Sequence, residues 1–179
     1  MKYNYYFLKD FVNQKERQQI NSLINEKGEL FKEQATTVKT AVCHEIPYNL
    51  IHNIKDIKSA VNWINRQAFG VEVYSNILTD NFIRNIYKSS NKGEYKWHFD
   101  AEPHDYNFTI KLTTLINLSE NPYEGGEFFY WDGKPVAIPE YQEPGTLLTF
   151  PSFYLHQVTP VTKGERITGT FFMTGPKWK

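Results

Sequence analysis

Cysteine is nearly absent. Cys43 is the only one among 179 residues, so no intramolecular disulfide can form. The Met1 to Asp10 stretch also lacks a basic segment followed by a long apolar run, and with the lone thiol this makes a reducing cytoplasm the expected setting. No apolar stretch approaches the roughly 20 residues that a helix needs to cross a bilayer, so no membrane partner is expected. Charge of one sign is lacking as well: 20 Lys+Arg balance 20 Asp+Glu for a formal net charge of zero. No overall positive field draws the chain to polyanions, and nucleic acid is disfavoured as a partner. Repeats, linkers and low-complexity segments are missing too. What is present, 40% hydrophobic and 16% aromatic residues, suffices for one core, and a single domain over residues 1–179 is expected.

The N-terminal part, about residues 1–70, reads as a helical support. Asn13 can cap a helix with Glu16 three positions on, followed by a stripe of Ile20, Leu23 and Ile24. A second stripe, Ile51, Ile54, Val61, Ile64 and Ala68, ends where Gly70 can adopt a left-handed cap. Residues 28–49 show no clear period and read as loop or short strand. From about 71 to 175 the chain turns to short runs of Val, Ile, Thr, Phe and Tyr, with turn signals at Asn91 to Gly93, Glu124 to Gly126, Asp132-Gly133 and Pro144-Gly145. Many short strands without intervening helices predict a sandwich or jelly roll, with the two helices covering one outer face.

Within Tyr95-Lys96-Trp97-His98-Phe99-Asp100, strand alternation places His98 and Asp100 on one face and Tyr95, Trp97 and Phe99 on the other, with Trp97 and Phe99 expected to pack against the helices. Two ligands at i and i+2 lie about 6.7 Å apart along a strand, near enough to converge on one ion. His156, after the strand-like run Thr146 to Phe150 and Pro151, can supply a third. Two histidines and a carboxylate on one face leave metal positions open for small molecules, the arrangement that suits non-haem iron(II). His-x-Asp by itself is a weak signal: an interfacial histidine beside a turn-forming aspartate would look the same.

The wider context is specific. From Tyr87 to Thr174, half of the chain, the pieces Tyr87 and Gly93 to Asp100, Thr114 to Ser119, Tyr123 to Glu127, Pro144-Gly145 and Leu155 to Arg166 occur in one order. In these the chain resembles the 2-oxoglutarate and Fe(II)-dependent prolyl 4-hydroxylase-like family, most nearly its PKHD-type hydroxylase branch. The resemblance implies a mainly β fold, a double-stranded β-helix (jelly roll) with helices on the larger sheet. It implies that His98, Asp100 and His156 hold Fe(II), and that Arg166, ten positions past the distal histidine, binds the C5 carboxylate of 2-oxoglutarate. A guanidinium fork suits a carboxylate. Thr168 resembles the hydroxyl residue that family members keep beside this arginine. Where many relatives carry a co-substrate-binding tyrosine this chain has Asn117, so either Asn117 makes that contact through its amide or Tyr87 supplies a phenol. Lys111, on the same predicted strand face as Asn117, is a competitor for the carboxylate and otherwise a rim charge.

The implied activity couples decarboxylation of 2-oxoglutarate, with dioxygen, to hydroxylation of an unactivated carbon, with ascorbate a candidate stimulant. Asp100 fills the third protein position and leaves no vacancy for halide, which favours hydroxylation over halogenation. The implied substrate is a peptide, protein or amino acid, by family default a prolyl side chain. Two rivals remain: a non-catalytic jelly-roll module that keeps a metal or ligand pocket, and a nucleobase-directed oxygenase. The first is disfavoured by full retention of the four named residues, the second by neutral charge and by the missing asparagine after His-x-Asp. Residues 28–49 and 101–107 are the expected substrate-selecting loops, and His104 reads as a surface histidine. The aromatic run Phe128 to Trp131 reads as sheet packing, and Gly125-Gly126 as a turn.

Overall fold

The computed structural model describes residues 3–35, 38–74, 81–101 and 108–178. His104, with residues 102–107 of the expected substrate loop, lies outside them. In chain order the elements are β1 (Tyr6–Leu8), α1 (Gln14–Lys27), β2 (Glu29–Ala35), β3 (Lys39–Pro47), α2 (Tyr48–His52), α3 (Ile57–Ile64), β4 (Asn81–Lys88), β5 (Glu94–His98) and β6 (Phe108–Asn117). They continue with β7 (Glu124–Gly125), β8 (Phe128–Trp131), β9 (Pro135–Ala137), β10 (Leu147–Pro151), β11 (His156–Val158), β12 (Val161–Lys163) and β13 (Glu165–Pro176).

The strands form one curled antiparallel sheet in the order β1-β10-β6-β13-β4-β3-β5-β11-β8-β9, with β2 on β3 and a separate β7–β12 pair. The curl happens at β3. Residues Val42 to Pro47 pair with β4, whereas Lys39 and Thr40 pair with β5, so one strand belongs to both walls. The result is the jelly roll that the strand texture predicts, with a major wall around β6, β13 and β4 and a minor wall of β5, β11 and β8.

Helices cover the outside of the major wall. Ile20 and Ile24 of α1 and Ile57, Val61 and Ile64 of α3 share one buried cluster with Leu112, Ile116, Phe171 and Met173 of the sheet. Each such buried isoleucine stabilises the fold by roughly 1.5–3 kcal/mol. The Asn13 cap forms as expected: its side chain accepts from Glu16 N–H, and the Glu16 carboxylate accepts from Asn13 N–H.

Two readings of the N-terminal part need correction. The second apolar stripe is not one helix but α2 and α3, because Asp56 accepts from Ser59 N–H and starts a new helix; only its end is as read, with Gly70 at φ +64° closing onto Asn65 O. Within the stretch without a readable period, Glu29–Ala35 and Lys39–Pro47 are full strands, so the first 70 residues contribute sheet as well as helix. Amphipathic alternation fails there because β3 sits inside the sheet, where both faces pack.

Candidate functional site

Between the walls lies a cavity of about 210 Å³. Its floor follows from strand register. On β13 the inward positions are Arg166, Thr168, Thr170 and Phe172; on β4 they are Tyr87, Asn85 and Ile83, with Arg166 opposite Tyr87 and Thr168 opposite Asn85. Phe171 and Met173 point the other way into the helix-covered core, so the period of two holds along this stretch.

The minor wall brings His98 directly opposite His156. One ligand atom from each of His98, Asp100 and His156 can be chosen so that all three lie within 4.8 Å of one another, with His98 Nε2 at 3.7 Å and His156 Nε2 at 3.5 Å from the Asp100 carboxylate. Each imidazole is oriented the same way: Nδ1 of His98 donates to Lys96 O at 2.7 Å, and Nδ1 of His156 donates to Tyr154 O at 2.8 Å. A carbonyl can only accept, so the proton sits on Nδ1 and Nε2 keeps its lone pair for a metal. The Thr113 hydroxyl donates to Asp100 Oδ2 at 2.7 Å, fixing the carboxylate from behind. Both imidazoles have pKa values lowered to about 4, His98 by burial and then by His156, and His156 by burial. At neutral pH both are uncharged. The donor set therefore fits a divalent cation such as iron(II).

Burying neutral histidines has a pH consequence. The unfolded chain binds these protons at about pH 6.5 and the folded chain only at about pH 4, so their contribution to stability is present above pH 6.5 and is lost as pH falls toward 4. In metal-free protein the urea midpoint is expected to drop across that window, and His156→Gln should flatten the dependence. A midpoint flat from pH 6.5 to 4 would contradict neutral burial.

Arg166 closes the opposite end. It is 1% exposed, its guanidinium carbon lying 5.5 Å from the Tyr87 ring centre and 5.2 Å from that of Tyr141. Its Nε and Nη2 are buried without a hydrogen-bond partner. A buried guanidinium with idle donors is costly, and a bidentate carboxylate would satisfy it. Gly126 leaves the room for this side chain: at φ +65°, a Cβ there would lie 2.7 Å from Arg166 Cδ. The Gly125-Gly126 turn reading is corrected: Gly125 belongs to β7, paired with Val161 of β12, and Gly126 makes room for Arg166. Burial raises the Tyr87 phenol pKa, so it stays protonated and able to donate. Thr168 lines the cavity between Arg166 and the triad.

Asn117, named as a co-substrate contact, and Lys111, weighed as a competitor for the carboxylate, both lie elsewhere. Asn117, 0% exposed, does not line the cavity; its Nδ2 is within 3.1 Å of Tyr123 Oη, Tyr141 O and Gln142 O, and its Oδ1 accepts from Ser119 N–H. It holds the end of the 3-10 helix Pro139–Gln142, whereas Tyr87, the other candidate for that contact, lines the cavity. Asn117→Ala is expected to lower stability by about 1–3 kcal/mol, the cost of orphaned buried groups, with 2-oxoglutarate affinity unchanged; urea unfolding beside a ligand titration checks both. Lys111 also lies outside the cavity, its Nζ 3.6 Å from the Trp178 ring centre and its pKa lowered by burial, against an opposing pull from Glu72. It is buried and not a rim charge.

The β5 alternation is corrected as well. His156 faces His98 while Val158 faces Tyr95, so the four residues Tyr95 to His98 of β5 oppose the three residues His156 to Val158 of β11. This bulge turns Tyr95 inward, its ring stacked on His98 with centres 3.4 Å apart. Trp97 packs edge-on against Trp131, not against the helices, and Phe99 is 53% exposed. His98 and Asp100 face the cavity as expected. Tyr95, Thr113, Lys39 and Asn85 are site residues that sequence reasoning missed. The Thr113 alternation with Leu115 on β6 could have found one of them.

A family model described as the 2OG-Fe(II) oxygenase superfamily matches residues 84–174. Among curated proteins, a PKHD-type hydroxylase of Synechococcus sp. (strain CC9605) is 36% identical over 86 residues, 45% of this chain and 36% of that protein. Another, from Shewanella oneidensis, is 41% identical over 63 residues, 35% of this chain and 28% of that protein. The matched stretches thus span only about a third of those relatives. Among solved structures, a Pseudomonas putida prolyl-4-hydroxylase has TM-score 0.73 and 17% identity, covering 98% of this chain and 94% of that one. A viral collagen prolyl hydroxylase from Paramecium bursaria Chlorella virus-1 has TM-score 0.74 and 18% identity, covering 97% of each. Those likenesses establish the shared fold, and with the family match over half its length the chain belongs to the 2OG-Fe(II) oxygenase superfamily.

Proposed function

We propose that this protein is a non-haem iron(II) and 2-oxoglutarate-dependent dioxygenase that hydroxylates an unactivated carbon, on a prolyl or other amino-acid side chain of a peptide, protein or free amino acid. One observation carries the reading: a single cavity holds both the converging His98, Asp100 and His156 and, at its other end, a buried guanidinium with idle donors. Names of the curated relatives, hydroxylases of PKHD type, support it.

Iron(II) with 2-oxoglutarate and dioxygen, when bound, supplies the oxidising power; the protein supplies placement. His98, Asp100 and His156 would occupy three metal positions and leave the others to small molecules, and the filled carboxylate position favours hydroxylation over halogenation. Arg166 would hold the C5 carboxylate by its planar fork, and the Tyr87 phenol and Thr168 hydroxyl would complete that end. Phe128 and Phe150 pack around His156, keeping water from the imidazole and the ligand geometry fixed. Since β3, β4 and β5 line the cavity together with β13, we assign the activity to one domain over 1–179. A cytoplasmic setting belongs to the same proposal, on the unbridged Cys43; among the described residues no helix is long and apolar enough to cross a membrane.

The test is succinate release from 2-oxoglutarate with iron(II) and ascorbate, followed by product mass analysis over a panel of proline-containing peptides, free amino acids and alkylated nucleic acid. A mass gain of one oxygen on a peptide or amino acid is expected. Oxidation confined to the nucleic acid, or no succinate with any member, would overturn the reading.

A further inference from the structure

A second cation reaches the same cavity from the strand shared by the two walls. Lys39 on β3 is half-buried, lines the cavity, and its Nζ donates to Asn85 Oδ1 at 2.7 Å and lies 4.7 Å from the centre of the Tyr95 ring. Asn85 is held in turn. Its Oδ1 also accepts from Cys43 Sγ at 3.2 Å and its Nδ2 donates to Thr170 Oγ1 at 3.1 Å, so the amide aims the ammonium. Register gives the position: Asn85 lies opposite Thr168, one inward step of about 6.7 Å past the Arg166–Tyr87 row. Continuing along β13, Phe172 lies opposite Thr113, which bonds Asp100. Lys39 and Asn85 therefore sit between the guanidinium and the ligand triad. Among the described residues lining the cavity, Lys39 and Arg166 are the cations and Asp100, a member of the triad, is the anion. The lining attracts anions at two separated points.

We propose that Lys39, aimed by Asn85, forms a second carboxylate subsite one strand step from Arg166 toward the triad. This rests on reading Arg166 as the anchor of the first carboxylate. The carboxylate received is either the C1 group of the diacid whose C5 end Arg166 holds or the carboxylate of an amino-acid substrate. A point charge with a fixed amide neighbour suits a carboxylate and discriminates against its neutral amide.

The experiment has two arms, each on wild type, Lys39→Met and Lys39→Arg. In the first, 2-oxoglutarate is titrated anaerobically into the iron(II)-loaded protein. In the second, L-proline and L-prolinamide are titrated by ligand-observed NMR into protein already holding zinc(II) and 2-oxoglutarate. Lys39→Met is expected to weaken binding about tenfold or more in one arm, as loss of a hydrogen bond to a charged group does, with Lys39→Arg recovering part. Loss in the first arm assigns the subsite to the diacid. Loss in the second, with L-proline but not L-prolinamide bound by wild type, assigns it to the substrate. Unchanged 2-oxoglutarate binding together with no difference between wild type and Lys39→Met toward L-proline overturns the proposal. If wild type fails to bind 2-oxoglutarate, or Arg166→Ala binds it unchanged, the underlying reading of Arg166 has failed instead.

Discussion

His98→Ala, Asp100→Ala and His156→Ala are each expected to abolish succinate release and to weaken iron(II) binding by more than about 100-fold. The bound comes from comparison: losing a residue that merely orients a metal ligand costs 10- to 100-fold, and losing a ligand removes one of three protein donors outright. Thr113→Val supplies the internal scale. Its hydroxyl touches Asp100 Oδ2 and not the other two candidate ligands, so it should fall within that 10- to 100-fold range while keeping measurable turnover. The ordering of effects separates the metal reading from the bland one. If His98 were an interfacial histidine and Asp100 a turn former, Asp100→Ala would lower the unfolding midpoint and leave metal affinity alone. Calorimetric titration with iron(II), or with zinc(II) as a redox-silent stand-in, alongside thermal unfolding of each variant, reads both quantities. Wild-type succinate production in His98→Ala or Asp100→Ala would end the assignment.

The candidate ligand set was legible because the ordered motifs from Tyr87 to Thr174 gave a weak His-x-Asp signal a specific context, and the fold because turn glycines and short β runs mark the jelly roll. What alternation could not supply was the bulge in β5. A bulge is a property of a strand pair: His156 and Val158 must face His98 and Tyr95 before Tyr95 can turn inward, and one strand's sequence does not contain its partner's register. The same reason hid Lys39. Its strand is sandwiched between two walls and shows no period, so a lysine there read as loop although its ammonium enters the cavity. Asn117 failed differently. Its strand position was right, buried on the inward-running β6, but a side chain with two donors and two lone pairs met the carbonyls of Tyr141 and Gln142 before it could meet a ligand. Helix ends were legible where the cap is local, at Asn13 and Gly70, and illegible at Asp56, where one N-cap inside an apolar stripe divides it.

Arg166→Ala is expected to weaken 2-oxoglutarate by at least about 10- to 150-fold, the range that corresponds to roughly 1.5–3 kcal/mol for a hydrogen bond to a charged group. The structure argues for the upper end. The guanidinium is 1% exposed and, among the described residues, has no carboxylate partner. Removing it would leave the C5 carboxylate in a partly dry pocket between Tyr87 and Tyr141 without counter-charge, and an uncompensated buried charge costs more than the bond itself. Iron(II) affinity should stay within a fewfold of wild type, because the triad sits at the other end of the cavity. Arg166→Lys should recover only part, offering a point charge without the fork. Gly126→Ala sharpens the assignment without touching the guanidinium's chemistry: its methyl would press on Arg166 Cδ, 2.7 Å away, and displace the fork, so 2-oxoglutarate should weaken while the charge is kept. The readout is the visible absorption band of the iron(II) chelate during anaerobic titration of each variant. An unchanged midpoint in Arg166→Ala would move the C5 site elsewhere. Lys39, the other cation lining the cavity, would then be the residue to replace first, in place of Lys111, whose ammonium lies against Trp178 and outside the site.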